Sequence, residues 1–479
     1  MMIKKKYILI VLAAMTLMSC ESWLEMKPKN ALPGSITLAT LSGNESLLLG
    51  AYDYMQSTSL YGRNMICVPE ILADNCGMAQ GGYMFRSEYR NLMGAGVNIW
   101  GSAFQVIAIT NDIIDATGKL DVSGAEAGTR DKIKGEALFI RGLLYFDLLR
   151  AYAREPQHLV NNFDLAVPLI TAPFLSMGPE AYPERARLAE VWQQVESDLN
   201  AAFSLLQGND GSNFPQRANH YAAKALLARA FLHQGKWAEA VEAANWVISQ
   251  NKISIHSGNI RDLYTSGVES LLELRFATSE SLGSSSLHAM YATFDDGYRD
   301  AEGYGNGRGS GEGELIIAEN LRVLFEDGDK RLDMMRKAYF GSNKVWWTTK
   351  FNSWGGSYGQ DNVPMIRISE VYLIRAEAAL KMASPVYGQA RSDINALRAA
   401  RGLAALSGAD ASLMDAVLKE RRLELCFEGH RFFDLKRQGK DITKEAPSVT
   451  LPYTDFKVVA GIPQTEMDVN KNLVNNPGY

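Results

Sequence analysis

One helical hairpin occurs twice in this chain, and a recurring hairpin has to bury its apolar face against neighbours of its own kind. The first copy is Ala222 to Gln234, a Gly235-Lys236 turn, and Trp237 to Gln250, with Ala225, Ala228 and Ala230 small enough to let the second helix approach closely. The second copy is Val371 to Lys381 followed by Tyr387 to Arg401. LLARAFL matches YLIRAEA, WAEA matches YGQA, and Trp237 and Tyr387 hold the same place. The spacing therefore predicts a helical scaffold in which such pairs stack into one superhelical half.

The hairpins resemble tetratricopeptide units. Further helices are read at Ser46 to Ser57, at Gly101 to Gly118, at Lys132 to Arg154, where Phe139, Leu143, Phe146 and Leu149 recur every three or four residues, and at Leu188 to Gln207. Degenerate copies of the hairpin are expected at Gly101 to Arg154 and Ala411 to Gly439. Between the two clear copies the pattern changes. From Ser254 to Val363, short strand-like runs such as Leu271 to Ala277 and Val345 to Phe351 alternate with Gly/Ser/Asp/Asn loops. The fold expected is mainly α: helical repeats at about 100–250 and 364–440, and an irregular, loop-rich lobe with short strands at about 254–363.

Nothing in the composition argues against one globular unit. Hydrophobic residues make up 47% and charged residues 22%, ordinary values that fit neither wholesale disorder nor a polytopic membrane protein. A net charge of −5 offers no basic field for nucleic acid. The first residues read as a targeting segment. Lys4, Lys5 and Lys6 precede an apolar run, Ile8 to Met18, too short to span a bilayer stably, and Leu17-Met18-Ser19-Cys20 resembles a lipoprotein signal-peptidase site. Residues 1–19 are then a signal peptide, Cys20 the lipidated N-terminus, 20–35 a tether and 36–479 a single domain. Cys67 and Cys76 are close enough in sequence to pair across a short loop or to remain free, while Cys426 on an apolar helix face reads as a buried thiol.

The densest mixture of charge and apolar bulk is Lys419 to Gly439, KERRLELCFEGHRFFDLKRQG. A helix is expected up to Gly429, with Arg421 placed to pair with Glu424 three residues on. Glu424, Glu428 and His430 read as ion pairs that knit this helix to its neighbours rather than as an acid/base or metal group. The stretch ERRLELCFEGHRFFDLKRQGK resembles the C-terminal signature of the SusD/RagB family of surface nutrient-binding lipoproteins. The ending GIPQTEMDVNKNLVNNPGY is similar to that family's ending, EALFIRGLLYFDLLRAYA to its N-terminal signature, and Asp329-Lys330-Arg331 to its Asp-x-Arg. The resemblance implies an outer-membrane lipoprotein facing the cell exterior. Such a protein captures an oligosaccharide and passes it to a SusC-like TonB-dependent transporter, without catalysis and without a cofactor. A surface glycoside hydrolase and a periplasmic tetratricopeptide adaptor are the alternatives.

No catalytic motif is recognised: the chain has no H-E-x-x-H, no P-loop and no G-x-S-x-G nucleophile elbow, since the one run with those letters, Gly355 to Gly359, lies in a Gly-rich loop and not between a strand and a helix. Gly303 to Gly313 reads as a flexible loop, and Asp295, Asp296, Asp300 and Glu302 have no recognised calcium spacing. Aromatic residues carry the sharper argument. Trp192, Trp237 and Trp246 fall on amphipathic helices and are expected in the core. Trp346, Trp347 and Trp354, with Tyr304, lie in the loop-and-strand lobe, where exposed rings suit the apolar face of a sugar. If Trp346 and Trp347 share a strand, only one of them faces out. A second surface is Asp74 to Tyr89, with Asn75, Tyr83 and Arg86 as candidates and Trp100 at its border.

Overall fold

The computed structural model describes residues 37–79, 84–174, 178, 181–208, 211, 213–291, 314–340 and 343–479. The lipidation candidate Cys20, the ligand candidates Tyr83 and Tyr304, and the acidic group Asp295, Asp296, Asp300 and Glu302 lie outside them.

Helix α1 (Leu41–Met55) is capped by the Thr40 side chain, which accepts from the Gly43 amide, and is followed by α2 (Asn64–Leu72). The scaffold continues through α3 (Trp100–Lys119), α4 (Ala125–Tyr152), α5 (Leu188–Leu205), α6 (His220–Gln234) and α7 (Trp237–Ser249). After the loop-rich lobe come α8 (Ile368–Lys381), α9 (Tyr387–Ala400), α10 (Leu413–Leu425) and α11 (Arg431–Arg437). Packing follows sequence from α3 to α7, each helix against the next, and α7 then packs directly on α8. The two clear hairpins are thus neighbours in space although the lobe separates them in sequence. Lys381 covers the Trp237 ring at 4.8 Å across that junction, and Trp237 itself is half-buried rather than enclosed.

Close helix approach has identifiable causes. On α4, a Cβ at Gly135 would come within 2.9 Å of Leu206, and one at Gly142 within 3.1 Å of Leu199, so both glycines admit the α5 side. Arg141 on α4 then forks onto Asp198 of α5 at 2.8 and 2.7 Å, a bidentate pair that fixes the register of the two helices. Gly235 closes α6 in the left-handed conformation, φ 74°, which a residue with a Cβ adopts only at a cost.

The lobe leaves and rejoins the scaffold through a single ladder. β2 (Ser270–Leu274) pairs antiparallel with β6 (Val363–Arg367), Ser270 opposite Arg367 and Leu274 opposite Val363. Inside that closure, β4 (Met335–Phe340) and β5 (Asn343–Thr348) form a hairpin. β1 (Cys76–Met78), from the segment after α2, pairs with β3 (Leu315–Ile317). A last hairpin, β7 (Ile442–Lys444) with β8 (Val449–Leu451), follows α11.

The expected Arg421–Glu424 pair does not form. Both side chains are buried, and each finds a better partner on another element. Arg421 Nε donates to both oxygens of Asp434 at 2.9 Å. Glu424 accepts from Arg401 at 2.8 and 3.0 Å and from Arg367 at 2.8 Å. Burial acts to raise the Glu424 pKa, yet Arg401 and Arg367 hold it well below the carboxylate range. The charges of Lys419 to Gly439 are therefore structural.

That stretch also does not close into a third neat hairpin. Phe427 and Gly429 take positive φ, 64° and 81°, and α11 turns away to pack on α2. Buried Glu70 of α2 receives the turn: its carboxylate accepts from the amides of Phe427, Gly429, His430 and Arg431 at 2.9, 3.0, 3.0 and 3.3 Å. Cys67, Cys76 and Cys426 are buried free thiols, and burial pushes the Cys67 thiol up to about 12.

Candidate ligand-binding cleft

Two stretches far apart in sequence meet in one concavity. Pairing of β1 with β3 sets Cys76 to Met78 opposite Leu315 to Ile317, with Asp74 and Asn320 beyond the ladder in the same lining, and β3 in turn packs against β5. A cleft of about 280 Å³ opens between them, lined among others by Asp74, Tyr89, Asn320, Lys344, Trp346 and Lys444. These two walls come from the two regions in which the sequence placed ligand candidates, and Lys444 to Ala446 add a third side.

Alternation along β5 decides which tryptophan faces the cleft. Trp346 points outward and is half-buried, whereas Trp347 is fully buried. Trp347 therefore belongs to the core, and the strand leaves a single ring for a ligand. The Trp346 ring lies beneath two cations, Lys337 Nζ at 5.0 Å and the Arg322 guanidinium at 5.5 Å from its centroid, distances that suit cation–π attraction.

Guanidinium groups beneath the cleft tie its two walls together. Arg422 Nε donates to Asn75 Oδ1 at 2.8 Å, and Nη2 donates to the Asp74 carbonyl at 2.9 Å and to Asn320 Oδ1 at 3.0 Å. Arg431 forks onto the Asp74 carboxylate at 2.6 and 2.9 Å. Against the effect of burial, Arg431 and Arg422 hold Asp74 below its usual carboxylate pKa, so it is a fixed anion and not a proton donor. Glu319 is likewise paired with Arg322, which lowers its pKa. On the far side Lys444 Nζ donates to the carbonyls of Ile71 and Tyr89, both at 2.7 Å. Burial draws its pKa down to about 7; the two carbonyls favour its protonated form.

The remaining candidates are placed elsewhere. Asn75 is buried, with Nδ2 on Glu70 at 2.6 Å and Oδ1 on Arg422; both ends are committed, so it supports the wall and does not meet ligand. Trp354 packs against Ile260, Leu263, Tyr264 and Met334, its N–H on the Thr349 and Lys350 carbonyls at 3.2 Å. Trp100 is 4% exposed, rests 5.0 Å from Phe104 and 5.1 Å from Tyr152, and lines a different cleft. Arg86 is exposed at the start of a short helix, Arg86–Tyr89, and is not among the lining residues. Lys344 and Asn320 had no signal of their own in the sequence. Tyr89 closed the stretch Asp74 to Tyr89, and Lys444 arrives only through the docking of β7.

Among the described residues no group of three or more His, Cys, Asp and Glu side chains is placed to hold a metal ion. No described helix is long and apolar enough to cross a membrane.

Comparison with known proteins agrees with this architecture. Residues 326–479 match the family model described as the SusD family, and residues 22–232 match one described as "Starch-binding associating with outer membrane". A SusD-like protein of Formosa agariphila is 25% identical over 532 residues, covering 99% of this chain and 100% of that protein. A SusD superfamily crystal structure from Bacteroides thetaiotaomicron VPI-5482 superposes with a TM-score of 0.78 at 27% identity, covering 91% of this chain and all of that one. A structure described as a laminarin binding SusD-like protein has the same fold, with a TM-score of 0.71 at 22% identity over 91% of this chain and 99% of that one. With two family models spanning both ends of the chain and a helical scaffold that superposes along nearly its whole length, the chain belongs to the SusD/RagB family.

Proposed function

We propose that this protein captures a glycan at the cell surface and hands it to a SusC-like TonB-dependent outer-membrane transporter, without chemically altering it. The observation that carries the reading is the Trp346 ring, presented outward on β5 over a cleft whose two walls are tied from beneath by Arg422. A flat aromatic face beside amide, ammonium and carbonyl groups suits stacking of a sugar ring with hydrogen bonds to its hydroxyls. Of the carboxylates among the described lining residues, Asp74 is held by Arg422 and Arg431 and Glu319 by Arg322, which leaves Glu445 alone and not the poised pair that glycoside hydrolysis uses. The family model's description as starch-binding and the laminarin-binding structural neighbour support a carbohydrate ligand.

In this reading Cys20 carries the lipid, residues 20–35 tether the domain to the outer membrane, and 36–479 form the single binding unit outside the cell. The lobe at about 254–363 supplies one wall of the cleft, and the helical repeats at about 100–250 and 364–440 supply the support. A glycan array probed with the lipid-free protein, wild type and Trp346→Ala in parallel, tests the function. Binding to a defined oligosaccharide class that Trp346→Ala loses is expected; release of shortened sugars, or no glycan bound at all, would overturn it.

A further inference from the structure

A second concavity, of about 370 Å³, runs along the outer face of α3 and is separate from the Trp346 cleft. Trp100, Gly101, Phe104 and Ala108 of α3 form its floor, Phe174 and Tyr182 one side, and the helix Gln464–Val469 the other. Its volume falls in the range of small-molecule sites, which are mostly apolar with a few polar groups. Two apolar side chains stand far out at the rim, Phe174 at 59% and Val469 at 68% exposure, which is costly in water unless something covers them.

Three polar groups in the lining are uncommitted. The Trp100 indole N–H, the Tyr182 hydroxyl and the Glu466 carboxylate have no hydrogen-bond partner among the described residues, whereas Asn111 donates to the Ile170 and Ala172 carbonyls and accepts from Arg141, and Asn470 donates to the Pro183 carbonyl and accepts from the Asn472 amide. Among the described residues Glu466 is the one charged side chain in the lining, and no described Lys, Arg or His accompanies it. A uronate, sulfate or phosphate would therefore meet an unpaired carboxylate with no compensating cation. What fits is a neutral ring with apolar C–H faces for Phe104, Phe174 and Tyr182 and hydroxyls for Glu466 and the Trp100 N–H.

We propose that this cleft is a second saccharide site, taking one neutral pyranose ring, so that the protein holds glycan at two places. Two weak sites on one molecule raise the retention of a long chain by effective concentration, without any new contact. The site does not depend on the Trp346 reading, since the two clefts share no residue.

Gly101 allows a clean test. A Cβ there meets nothing within 4 Å, and the residue lies in the first turn of a helix, where replacing glycine does not weaken the fold. Gly101→Phe thus fills the cleft from its floor, and Ala108→Trp, at an exposed lining position about two turns further along α3, fills it independently. The probes are the methyl glycosides of glucose, galactose and mannose, with methyl glucuronide as the anionic control. Saturation-transfer NMR is run on Trp346→Ala, in which the first cleft is silenced. Transfer to the ring C–H protons of a neutral glycoside is expected, with loss of that signal in Gly101→Phe and in Ala108→Trp and none for the glucuronide. The proposal is overturned if no neutral glycoside gives transfer, if the signal survives both filling variants, or if the glucuronide gives the stronger signal. Oligosaccharide binding by Gly101→Phe with Trp346 intact reads the first cleft separately, so failure of one site is distinguishable from failure of the other.

Discussion

Glu70 and Gly429 come from opposite ends of the domain and share a hydrogen bond, the Gly429 amide donating to Glu70 Oε1 at 3.0 Å. Through it the turn between α10 and α11 is seated on α2, whose C-terminal end runs on into Asp74, Asn75 and the cleft wall. At Gly429 both the backbone angle, φ 81°, and the space are used up: a Cβ would lie 2.3 Å from the Met65 carbonyl oxygen. Gly429→Ala is expected to lower stability by about 1–3 kcal/mol from backbone strain, more where the clash moves α2. Denaturant unfolding measures it, and a variant as stable as wild type would contradict the assigned seat.

Glu424 stands between Arg401 and Arg367, all three fully buried. Removal of the carboxylate strands two guanidinium groups without their counter-charge, so Glu424→Ala should cost about 3–5 kcal/mol. Glycan affinity of the folded fraction should stay unchanged, because neither the residue nor its partners line the cleft. A stable variant that had lost binding would move Glu424 from the scaffold to the site.

Acid should unfold the protein by the same network. Burial works against the charged form of Glu428, but Arg367 and Lys350 hold its pKa down to about 2. A folded-state pKa below the unfolded one contributes stability that is present above about pH 4.5 and is lost as pH falls toward 2. The melting temperature should therefore decline between pH 5 and pH 3, and less steeply in Glu428→Gln if that variant folds. A flat profile across this interval would contradict it.

Much of the scaffold was legible in the sequence because helical periodicity is local. The predicted hairpin Ala222 to Gln250 became His220–Gln234 with Trp237–Ser249, and Val371 to Arg401 became Ile368–Lys381 with Tyr387–Ala400. What the sequence missed depends on partners distant along the chain. Arg421 and Glu424 are correctly spaced for each other, and only the fold offers Asp434 to one and Arg401 to the other. Asn75 looked like a ligand donor until Glu70 and Arg422 took both ends of its amide. Trp346 and Trp347 are indistinguishable as adjacent letters, and the pleat of β5 separates them into a surface ring and a core ring.

The anchor makes an expectation of its own. Cys20 is the cysteine of the proposed processing site, and several acyl chains there, each buried methylene contributing about 0.8 kcal/mol, would hold the protein to a membrane durably. Cys20→Ala should leave it unacylated and released from the membrane fraction, read by fractionation and mass spectrometry of the N-terminus. Unchanged membrane partition after detergent-free washing would contradict the lipoprotein assignment.

Trp346 and Trp347 together give the most direct test of the central claim, that the outward ring of β5 holds the glycan. The measurement is calorimetric titration of Trp346→Ala and Trp347→Ala with the best oligosaccharide from the array, each beside a thermal melt. Trp346→Ala should leave the melting temperature nearly unchanged and weaken binding about tenfold or more, the loss of one stacking contact of about 1.4 kcal/mol. Trp347→Ala should lower stability by about 3–5 kcal/mol as a buried aromatic truncation. Wild-type affinity in a folded Trp346→Ala protein would contradict the account and place the ligand elsewhere.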